Sequence, residues 1–389
     1  MKKINKNYDN DWPIVAICYD FDKTLSPQDM QNFDLIPQLN CTVEEFWTES
    51  NNYAKEQGMD KILSYMKLII KKAQGDVSIK REAFNKLGEG IVLFPGVDTW
   101  FSRINEYAEK LNVKVEHYII SAGLKEIIEG TSIAKAGSFT EIYASSFVYN
   151  PVYGNPIWPC QVVNYTTKTQ YLFRISKNCL DLSDEDSVNE YIEDENRRIP
   201  LRNFIYIGDS DTDIPAMKIV KNGGGTSIGV YNPETANISK VSKLLQQKRI
   251  DFLMPALYTE GSRLEVIVKA VIDKVKATER LEYVNQKQKD LVEDLEELDG
   301  LYVYTEKFLQ NAEYQESDIK DFRKQAKSMV RQGKKYLHNY DAVMDKDDID
   351  KVVAECEKGI LKLFDDKKSE MQQKNKNLLE SKDESSDKK

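Results

Sequence analysis

The sequence predicts an α/β protein: a mostly parallel, Rossmann-like sheet with an inserted α-helical cap and a C-terminal α-helical extension. Two observations support the sheet. Short apolar runs rich in β-branched residues alternate with helical patterns, and acidic residues follow two of these runs. Parallel strands need helical crossovers, and those helices cover both faces of the sheet. A third observation, near-heptad apolar spacing beyond residue 255, predicts the helical extension.

The first predicted strand covers residues 14–20, which are apolar and lead into a polar turn. From residue 27 to 94 the pattern becomes helical. Thr42 and Glu45 have the spacing of a capping box, which marks a helix start. Apolar residues at helical spacing then follow: Ile62, Tyr65, Met66 and Ile69. We interpret this segment as a small helical cap inserted after the first strand.

The alternation of strands and helices resumes after the cap. Three of the predicted elements carry candidate site residues. They are a strand that ends at Ser121, a helix that starts near Lys168 and a strand that ends at Gly208. The full predicted order is a helix over 97–111, a strand over 113–120, a helix over 124–133, antiparallel strands over 141–150 and 158–166, a helix over 168–178, and strands over 203–208 and 225–231. The acidic run 181–195 is expected to be solvated.

Beyond about residue 255 the apolar residues Leu264, Val268, Val271 and Val275 are spaced 4-3-4. This spacing predicts a long amphipathic helix, with a coiled-coil hairpin as an alternative. The predicted domains are an α/β core over 1–26 and 95–255, the helical cap over 27–94, a helical extension over 256–367 and a disordered tail over 368–389.

Composition restricts the classes of partner and compartment. The net charge of -9 argues against a nucleic-acid binder, which usually carries a basic surface. The five cysteines form no Cys-x-x-Cys pair, which favours a reduced compartment over a disulfide framework or a zinc site. The N-terminal residues lack the apolar core of a signal peptide and no run is long enough to span a membrane. We therefore expect a cytoplasmic protein that binds neither nucleic acid nor membrane, with self-association through the C-terminal helices left open.

Asp20 ends the first predicted strand, and Asp22 follows it two residues later. Residues two apart on an extended chain share a face, so both carboxylates point into one crevice. Two neighbouring carboxylates repel unless a cation lies between them, and Mg²⁺ prefers oxygen ligands. The pair therefore indicates a magnesium site at the carboxyl edge of the sheet, where ligands of such folds bind.

Three other segments reach the same predicted edge. Asp209, Asp211 and Asp213 follow the strand that ends at Gly208, and three acids so close together would be costly at a buried strand end without a cation. Ser121 and the N–H groups around Gly123 form a candidate anion cradle. Lys168, at the start of a helix, is a cation suited to phosphate oxygens.

Together these segments resemble the motifs of the haloacid dehalogenase superfamily, and most of all its phosphoserine-phosphatase-like members with a helical cap. The matching residues occur in the family's order over about residues 10–250: Asp20, Asp22 and Thr24 as Asp-x-Asp-x-Thr, Ser121 as the strand-end serine, Lys168 as the lysine, and Gly208, Asp209 and Asp213 as Gly-Asp-x-x-x-Asp. Each motif alone is weak, whereas the four together are specific.

The resemblance implies a role for each matched residue. Asp20 resembles the nucleophile that forms an aspartyl-phosphate, and Asp22 the general acid and base. Lys168 would neutralise charge beside Asp20.

The remaining matched residues would bind phosphate or metal. Thr24, Ser121 and Gly123 would hold phosphate oxygens. Mg²⁺ would be held by the carboxylates of Asp20 and Asp209 and by the backbone carbonyl of Asp22. Asp213 would contact these ligands without binding the ion itself. Asp211 falls between the positions that match the motif.

The expected function is that of a Mg²⁺-dependent phosphatase acting on a small phosphorylated metabolite. Asp22 favours phosphoryl transfer over dehalogenation, because a departing halide needs no proton. Two alternatives stay open: a catalytically weak scaffold or regulatory protein that uses its C-terminal helices, and a phosphotransferase whose acceptor is not water.

Overall fold

The computed structural model describes residues 12–73, 77–209, 211–235, 238–310, 316–337 and 343–386. The chain divides into two compact units, Met1–Ala277 and Thr278–Lys389. The first contains the sheet and the helices of the segment predicted as a cap, and the second is helical.

Within the described residues, seven strands of the first unit form one sheet in the order β4-β3-β2-β1-β5-β6-β7. Neighbouring strands are parallel except for the antiparallel pair β3 and β4. The strands are β1 (Ile14–Tyr19), β2 (Lys114–Leu124), β3 (Glu141–Tyr149), β4 (Pro156–Gln161), β5 (Phe204–Gly208), β6 (Thr226–Tyr231) and β7 (Phe252–Pro255). This topology confirms the predicted α/β fold with a mostly parallel sheet.

Helices connect the strands and cover both faces of the sheet. In the first unit they are α1 (Leu35–Gln38), α2 (Val43–Gln57), α3 (Lys61–Lys72), α4 (Arg81–Gly88), α5 (Val97–Glu109), α6 (Lys125–Glu129), α7 (Ser132–Lys135), α8 (Lys168–Lys177), α9 (Glu185–Asn189), α10 (Ile214–Asn222) and α11 (Ile238–Gln246). One apolar cluster includes Trp100 and Ile104 of α5, and the other includes Leu172 and Ile175 of α8. The alternating residues of β1 divide between the two clusters, since Ile17 belongs to the first and Cys18 to the second.

The central position of β1 determines where polar groups meet. It pairs with β2 on one side and β5 on the other, and the Asp20 N–H donates to Ile207 O over 2.9 Å. Because all three strands are parallel, their carboxyl ends lie at one edge of the sheet. Residues after β1 and β5, and those near the end of β2, are thereby brought together.

Three details differ from the sequence expectations. Strand β2 extends past Ser121 to Leu124 through an irregular register, and the helix predicted over 124–133 is divided into α6 and α7. Strand β7 was not predicted, because four residues that end in a proline carry too little periodicity. Its pairing with β6 places it at the end of the sheet.

His117 has a structural environment. Its ring Nδ1 lies 3.0 Å from the Tyr19 hydroxyl, and its Nε2 lies 3.0 Å from Asn105 Oδ1. The indole N–H of Trp100 donates to the same tyrosine oxygen. Burial lowers the pKa of His117 to about 3, so the ring stays neutral and completes a hydrogen-bonded network inside the core. The second histidine, His338, lies outside the described residues.

The segment predicted as a cap contains α1–α4, and its ends meet at the core. The Phe94 N–H donates to Leu25 O over 2.9 Å, where the chain returns from this segment. Helix α2 begins with the predicted capping box. The Thr42 hydroxyl oxygen accepts from the Glu45 N–H, and the Thr42 N–H donates to the Glu45 carboxylate. Helix α4 packs against α6 at two glycines, Gly88 and Gly130, so closely that the two backbones are nearly in contact.

Replacing Gly130 with Ala is expected to lower the free energy of unfolding by about 1–3 kcal/mol, because overpacking forces backbone movement. A Cβ atom at Gly130 would lie 1.8 Å from the carbonyl oxygen of Asn85, a backbone atom that cannot rotate away. Chemical denaturation followed by circular dichroism measures the change. Gly300→Ala is the matched control, since a Cβ there meets nothing within 4 Å and alanine favours the helix. Equal effects of the two substitutions would contradict this close packing.

The second unit contains the C-terminal part of α12 (Arg263–Gln310) together with α13 (Glu316–Leu337) and α14 (Lys346–Ser386). Apolar residues of the three helices share one cluster, which includes Leu298, Val330 and Ile360. The C-terminal helical extension is therefore present as predicted, and self-association through it stays a prediction. Among the described residues, no helix has both the length and the apolar character needed to cross a bilayer.

The predicted disordered tail over 368–389 is wrong for residues 368–386, which continue α14. The low apolar content of this stretch suggested disorder, but its lysine, glutamate, glutamine and leucine residues are also good helix formers. Residues 387–389 lie outside the described residues.

Candidate active site

The predicted site residues lie at the carboxyl edge of the sheet. Asp20 follows β1, Ser121 lies in β2 and Asp209 follows β5, and these three strands are neighbours. Lys168 is the first residue of α8, and Asp213 comes directly before α10. The buried members of the set are Asp20, Thr24, Ser121, Lys168 and Asp213, whereas Asp22 and Asp209 are half-buried. The site is thus largely removed from bulk water.

A tight turn after β1 places Thr24 beside Asp20. The carbonyl oxygen of Phe21 accepts from the N–H groups of Thr24, Leu25 and Ser26, at 3.2, 2.9 and 3.2 Å. Lys23 adopts a left-handed backbone with φ of 57°, which reverses the chain within this turn. The Thr24 hydroxyl is buried and has no hydrogen-bond partner among the described residues, so it is available to a ligand.

Lys168 connects two of the carboxylates. Its ammonium nitrogen lies 2.7 Å from Asp213 Oδ1 and 3.0 Å from Asp20 Oδ1, and its side chain is fully buried. The Tyr206 hydroxyl also donates to Asp213 Oδ1, over 2.9 Å. Burial by itself would lower the pKa of Lys168, but the charges of Asp20 and Asp213 outweigh it and raise the pKa. The lysine is therefore held as a cation against Asp20.

The carboxylate oxygens of Asp20, Asp209 and Asp213 lie within 4.8 Å of one another. Burial raises the pKa of Asp20 to about 6, against the opposing effect of Lys168. Burial, followed by the charges of Asp20 and Asp213, raises the pKa of Asp209 well above its usual value. Within the part of the chain that the structure describes, Asp20 Oδ1 forms the ion pair with Lys168 but no well-directed hydrogen bond. Crowded carboxylates with one cation among them, and an incompletely bonded oxygen, fit the donor set of a divalent ion such as Mg²⁺.

Asp22 has a different environment. Its Oδ1 accepts from the Met30 N–H over 2.7 Å, and burial, with the charges of Asp29 and Asp20, raises its pKa well above the usual value. A carboxyl group that retains its proton can act as a general acid. The carboxylate of Asp22 is not in the acidic cluster formed by the other three acids, so its predicted part in metal binding rests on its backbone carbonyl.

Gly123 is closely approached by the side chains of Met30 and Asp22. A Cβ at this position would meet Met30 Cε at 2.1 Å and Asp22 Oδ2 at 3.1 Å. The N–H of Gly123 donates to Ser121 Oγ over 3.1 Å, so the predicted anion cradle is held together by its own residues. The last of the predicted acids, Asp211, is exposed and is not a member of the cluster.

Several residues at this edge were not singled out from the sequence as site residues. The Tyr65 hydroxyl of α3 donates to Ala122 O over 2.7 Å, which joins the segment predicted as a cap to the irregular end of β2. The Tyr258 hydroxyl, contributed by a segment far along the chain, donates to Thr24 O over 2.8 Å. Helical periodicity identified Tyr65 as a buried residue, but no sequence pattern indicates where its hydroxyl points.

Comparisons with known proteins can now be set beside this geometry. The family model of the haloacid dehalogenase-like hydrolases matches residues 17–218, just over half of the chain. A protein of Borreliella burgdorferi, described as uncharacterized, is 28% identical over 282 residues, which cover 64% of this chain and 94% of that protein.

Solved structures show more distant similarity. A haloacid dehalogenase family hydrolase of Salmonella enterica matches with 16% identity and a TM-score of 0.42 over 61% of this chain. A probable phosphoserine phosphatase of Vibrio cholerae matches with 12% identity and a TM-score of 0.42 over 68% of this chain. The chain covers 66% of each of these two structures, just under two thirds of their length.

The mostly parallel sheet and the acidic residues at the ends of its central strands define an α/β protein with a strand-end acidic site. The family model covers β1, β2 and β5, the strands that carry this site. The chain belongs to the haloacid dehalogenase-like hydrolases.

Proposed function

We propose that the protein is a Mg²⁺-dependent phosphatase that hydrolyses a small phosphorylated metabolite through an aspartyl-phosphate on Asp20. The observation that carries this proposal is the buried contact between Asp20 and Lys168, beside the acidic cluster and next to Asp22 with its raised pKa. Membership in the hydrolase family supports the same reaction class.

In the first step a carboxylate oxygen of Asp20 attacks phosphorus, and the bond from phosphorus to the leaving oxygen breaks. Asp22 gives its proton to that oxygen, so the product leaves as a neutral alcohol. In the second step Asp22 takes a proton from a water molecule whose oxygen attacks phosphorus. The bond between Asp20 and phosphorus then breaks, inorganic phosphate departs, and both carboxyl groups return to their starting states.

Other residues of the chain would hold the phosphoryl group during both steps. The hydroxyls of Thr24 and Ser121 offer hydrogen-bond donors to its oxygens, and the Gly123 N–H, which donates to Ser121 Oγ, orients the serine hydroxyl. Lys168 contributes a positive charge that opposes repulsion between Asp20 and the approaching anion.

Asp20, Asp209 and the backbone carbonyl of Asp22 would hold Mg²⁺, with Asp213 fixing Lys168 beside them. The chemistry that such an ion supplies when bound is neutralisation of negative charge on the phosphoryl oxygens.

A panel of phosphorylated metabolites and one aryl phosphate, assayed with Mg²⁺ and with excess EDTA, tests this function. We expect phosphate release from the aryl ester and from a subset of metabolites, with activity lost in EDTA and restored by added Mg²⁺. Analysis of products with added alcohols separates hydrolysis from transfer to another acceptor. Absence of phosphate release across the panel in Mg²⁺ would contradict the proposal and favour a scaffold role.

A further inference from the structure

The segment 256–262, between β7 and α12, contacts the turn that follows β1. Tyr258 of this segment is fully buried, and its hydroxyl donates to Thr24 O over 2.8 Å. It lies outside residues 17–218, which the family model matches. The contact therefore joins a later part of the chain to the turn that carries two candidate site residues, Asp22 and Thr24.

Contacts on three sides fix Tyr258 itself. Its N–H donates to Pro95 O over 2.9 Å, and its ring packs edge-on against that of Trp100, with the ring centroids 5.1 Å apart. Its carbonyl oxygen accepts from the Arg103 guanidinium, which also pairs with the buried carboxylate of Glu265 at 3.1 Å. The hydroxyl is therefore held at a defined position beside the turn.

The turn after β1 contains a residue that needs such support. Lys23 has a φ of 57°, and a residue other than glycine keeps this left-handed conformation only where surrounding contacts hold it. The backbone of the next residue, Thr24, is held twice, since its N–H donates to Phe21 O over 3.2 Å and its carbonyl accepts from Tyr258. The Thr24 hydroxyl is buried without a partner among the described residues, so its orientation depends on these two backbone bonds.

The hydroxyl of Tyr258 stays protonated at neutral pH. Burial, followed by the charges of Asp20 and Asp209, raises the pKa of Tyr258 above its usual value. A tyrosine that keeps its proton can donate to a carbonyl oxygen without adding a charge to the site. Tyr258 is therefore suited to holding the turn rather than to acid–base chemistry.

We propose that Tyr258 is a positioning residue, whose hydrogen bond to Thr24 O holds the turn after β1 so that the Thr24 hydroxyl can bind the phosphoryl group. The effect on turnover rests on the proposed phosphatase function, whereas the effect on the turn rests on the contact alone. Tyr258 touches no reacting atom in this role. Without its hydroxyl, the buried carbonyl oxygen of Thr24 loses this donor, and the turn becomes less well held.

Tyr258→Phe tests this role, because phenylalanine keeps the ring against Trp100 and removes only the hydroxyl. Tyr107→Phe is the matched control, since it makes the same chemical change at another tyrosine that bonds to a later part of the chain. The Tyr107 hydroxyl of α5 donates to Asp273 of α12 over 2.9 Å rather than to the turn. Thermal unfolding verifies that every variant is folded.

Hydrogen exchange measures the turn directly and needs neither substrate nor metal. Three consecutive N–H groups of the turn donate to Phe21 O, so their exchange reports how firmly the turn is closed. We expect exchange over residues 20–26 to be roughly 3- to 30-fold faster in Tyr258→Phe than in the wild type, because the turn loses one hydrogen bond. The Tyr107→Phe control should exchange at the wild-type rate. Unchanged exchange in folded Tyr258→Phe, or equal acceleration in the control, would overturn the positioning role.

Turnover of an aryl phosphate with Mg²⁺ measures the consequence at the site. We expect kcat/KM to fall roughly 3- to 30-fold in Tyr258→Phe and to keep its wild-type value in Tyr107→Phe. In a Thr24→Val background, which already lacks the hydroxyl, adding Tyr258→Phe should lower kcat/KM by no more than about twofold further. Equal losses in the two backgrounds would mean that Tyr258 does not act through Thr24, and the proposal would fail.

Failure of the phosphatase function can be distinguished from failure of this inference. If the wild-type protein releases no phosphate from the aryl ester, the phosphatase function fails, and the exchange experiment alone decides whether Tyr258 holds the turn. If the wild-type protein is active and Tyr258→Phe keeps the wild-type kcat/KM, the phosphatase function stands and the positioning role is overturned.

Discussion

Asp20→Asn is expected to reduce hydrolysis of an aryl phosphate by about 10⁴-fold or more while the protein remains folded. An amide has no carboxylate oxygen with which to attack phosphorus, so the aspartyl-phosphate cannot form. Lys168 keeps its 2.7 Å contact with Asp213, and for this reason the buried cation stays paired in the variant. Steady-state phosphate release measures the activity, and thermal unfolding measures the fold.

Asp211→Asn provides the matched control for this substitution. It makes the same chemical change at an exposed acid that lies between Asp209 and Asp213 in the sequence but is not a member of the acidic cluster. We expect the control to retain wild-type turnover. Turnover by Asp20→Asn at the level of this control would eliminate Asp20 as the nucleophile.

Lys168→Met is expected to lower the free energy of unfolding by about 3–5 kcal/mol and to abolish turnover. Methionine has a similar length but no charge, so the carboxylates of Asp20 and Asp213 would be left buried without their shared cation. Removing one partner of a buried ion pair is strongly destabilising for this reason. Chemical denaturation in EDTA measures stability without any contribution from bound metal.

Two further variants show whether charge, rather than shape, is responsible. The double variant Lys168→Met with Asp213→Asn removes one carboxylate together with the lysine, so it should regain part of the lost stability without regaining turnover. Lys23→Met removes a partly exposed lysine paired with Asp29 at 2.7 Å, and should cost no more than about 1 kcal/mol. Comparable losses in Lys168→Met and Lys23→Met would contradict a buried electrostatic role for Lys168.

Much of this architecture could be predicted from local patterns. The apolar run of β1 and the alternating strand and helix patterns indicated a parallel sheet, and this sheet is present. The rule that parallel strands bring their carboxyl ends to one edge then predicted that Asp20, Ser121 and Asp209 would be neighbours. Prediction from local patterns was wrong where the pattern was short or ambiguous. The four residues of β7 were not recognised as a strand, and the polar stretch that continues α14 was not recognised as a helix.

The sequence by itself therefore determined the order of the strands along the chain, the residue types at their ends and the kind of reaction those types suit. Only the tertiary structure decided which carboxylates share the Lys168 cation and which carboxyl groups are buried. The Lys168–Asp213 ion pair and the raised pKa of Asp22 depend on distances between groups that tertiary packing brings together. Burial and charge act through space at a few ångströms, and periodicity along the sequence carries no information about such distances.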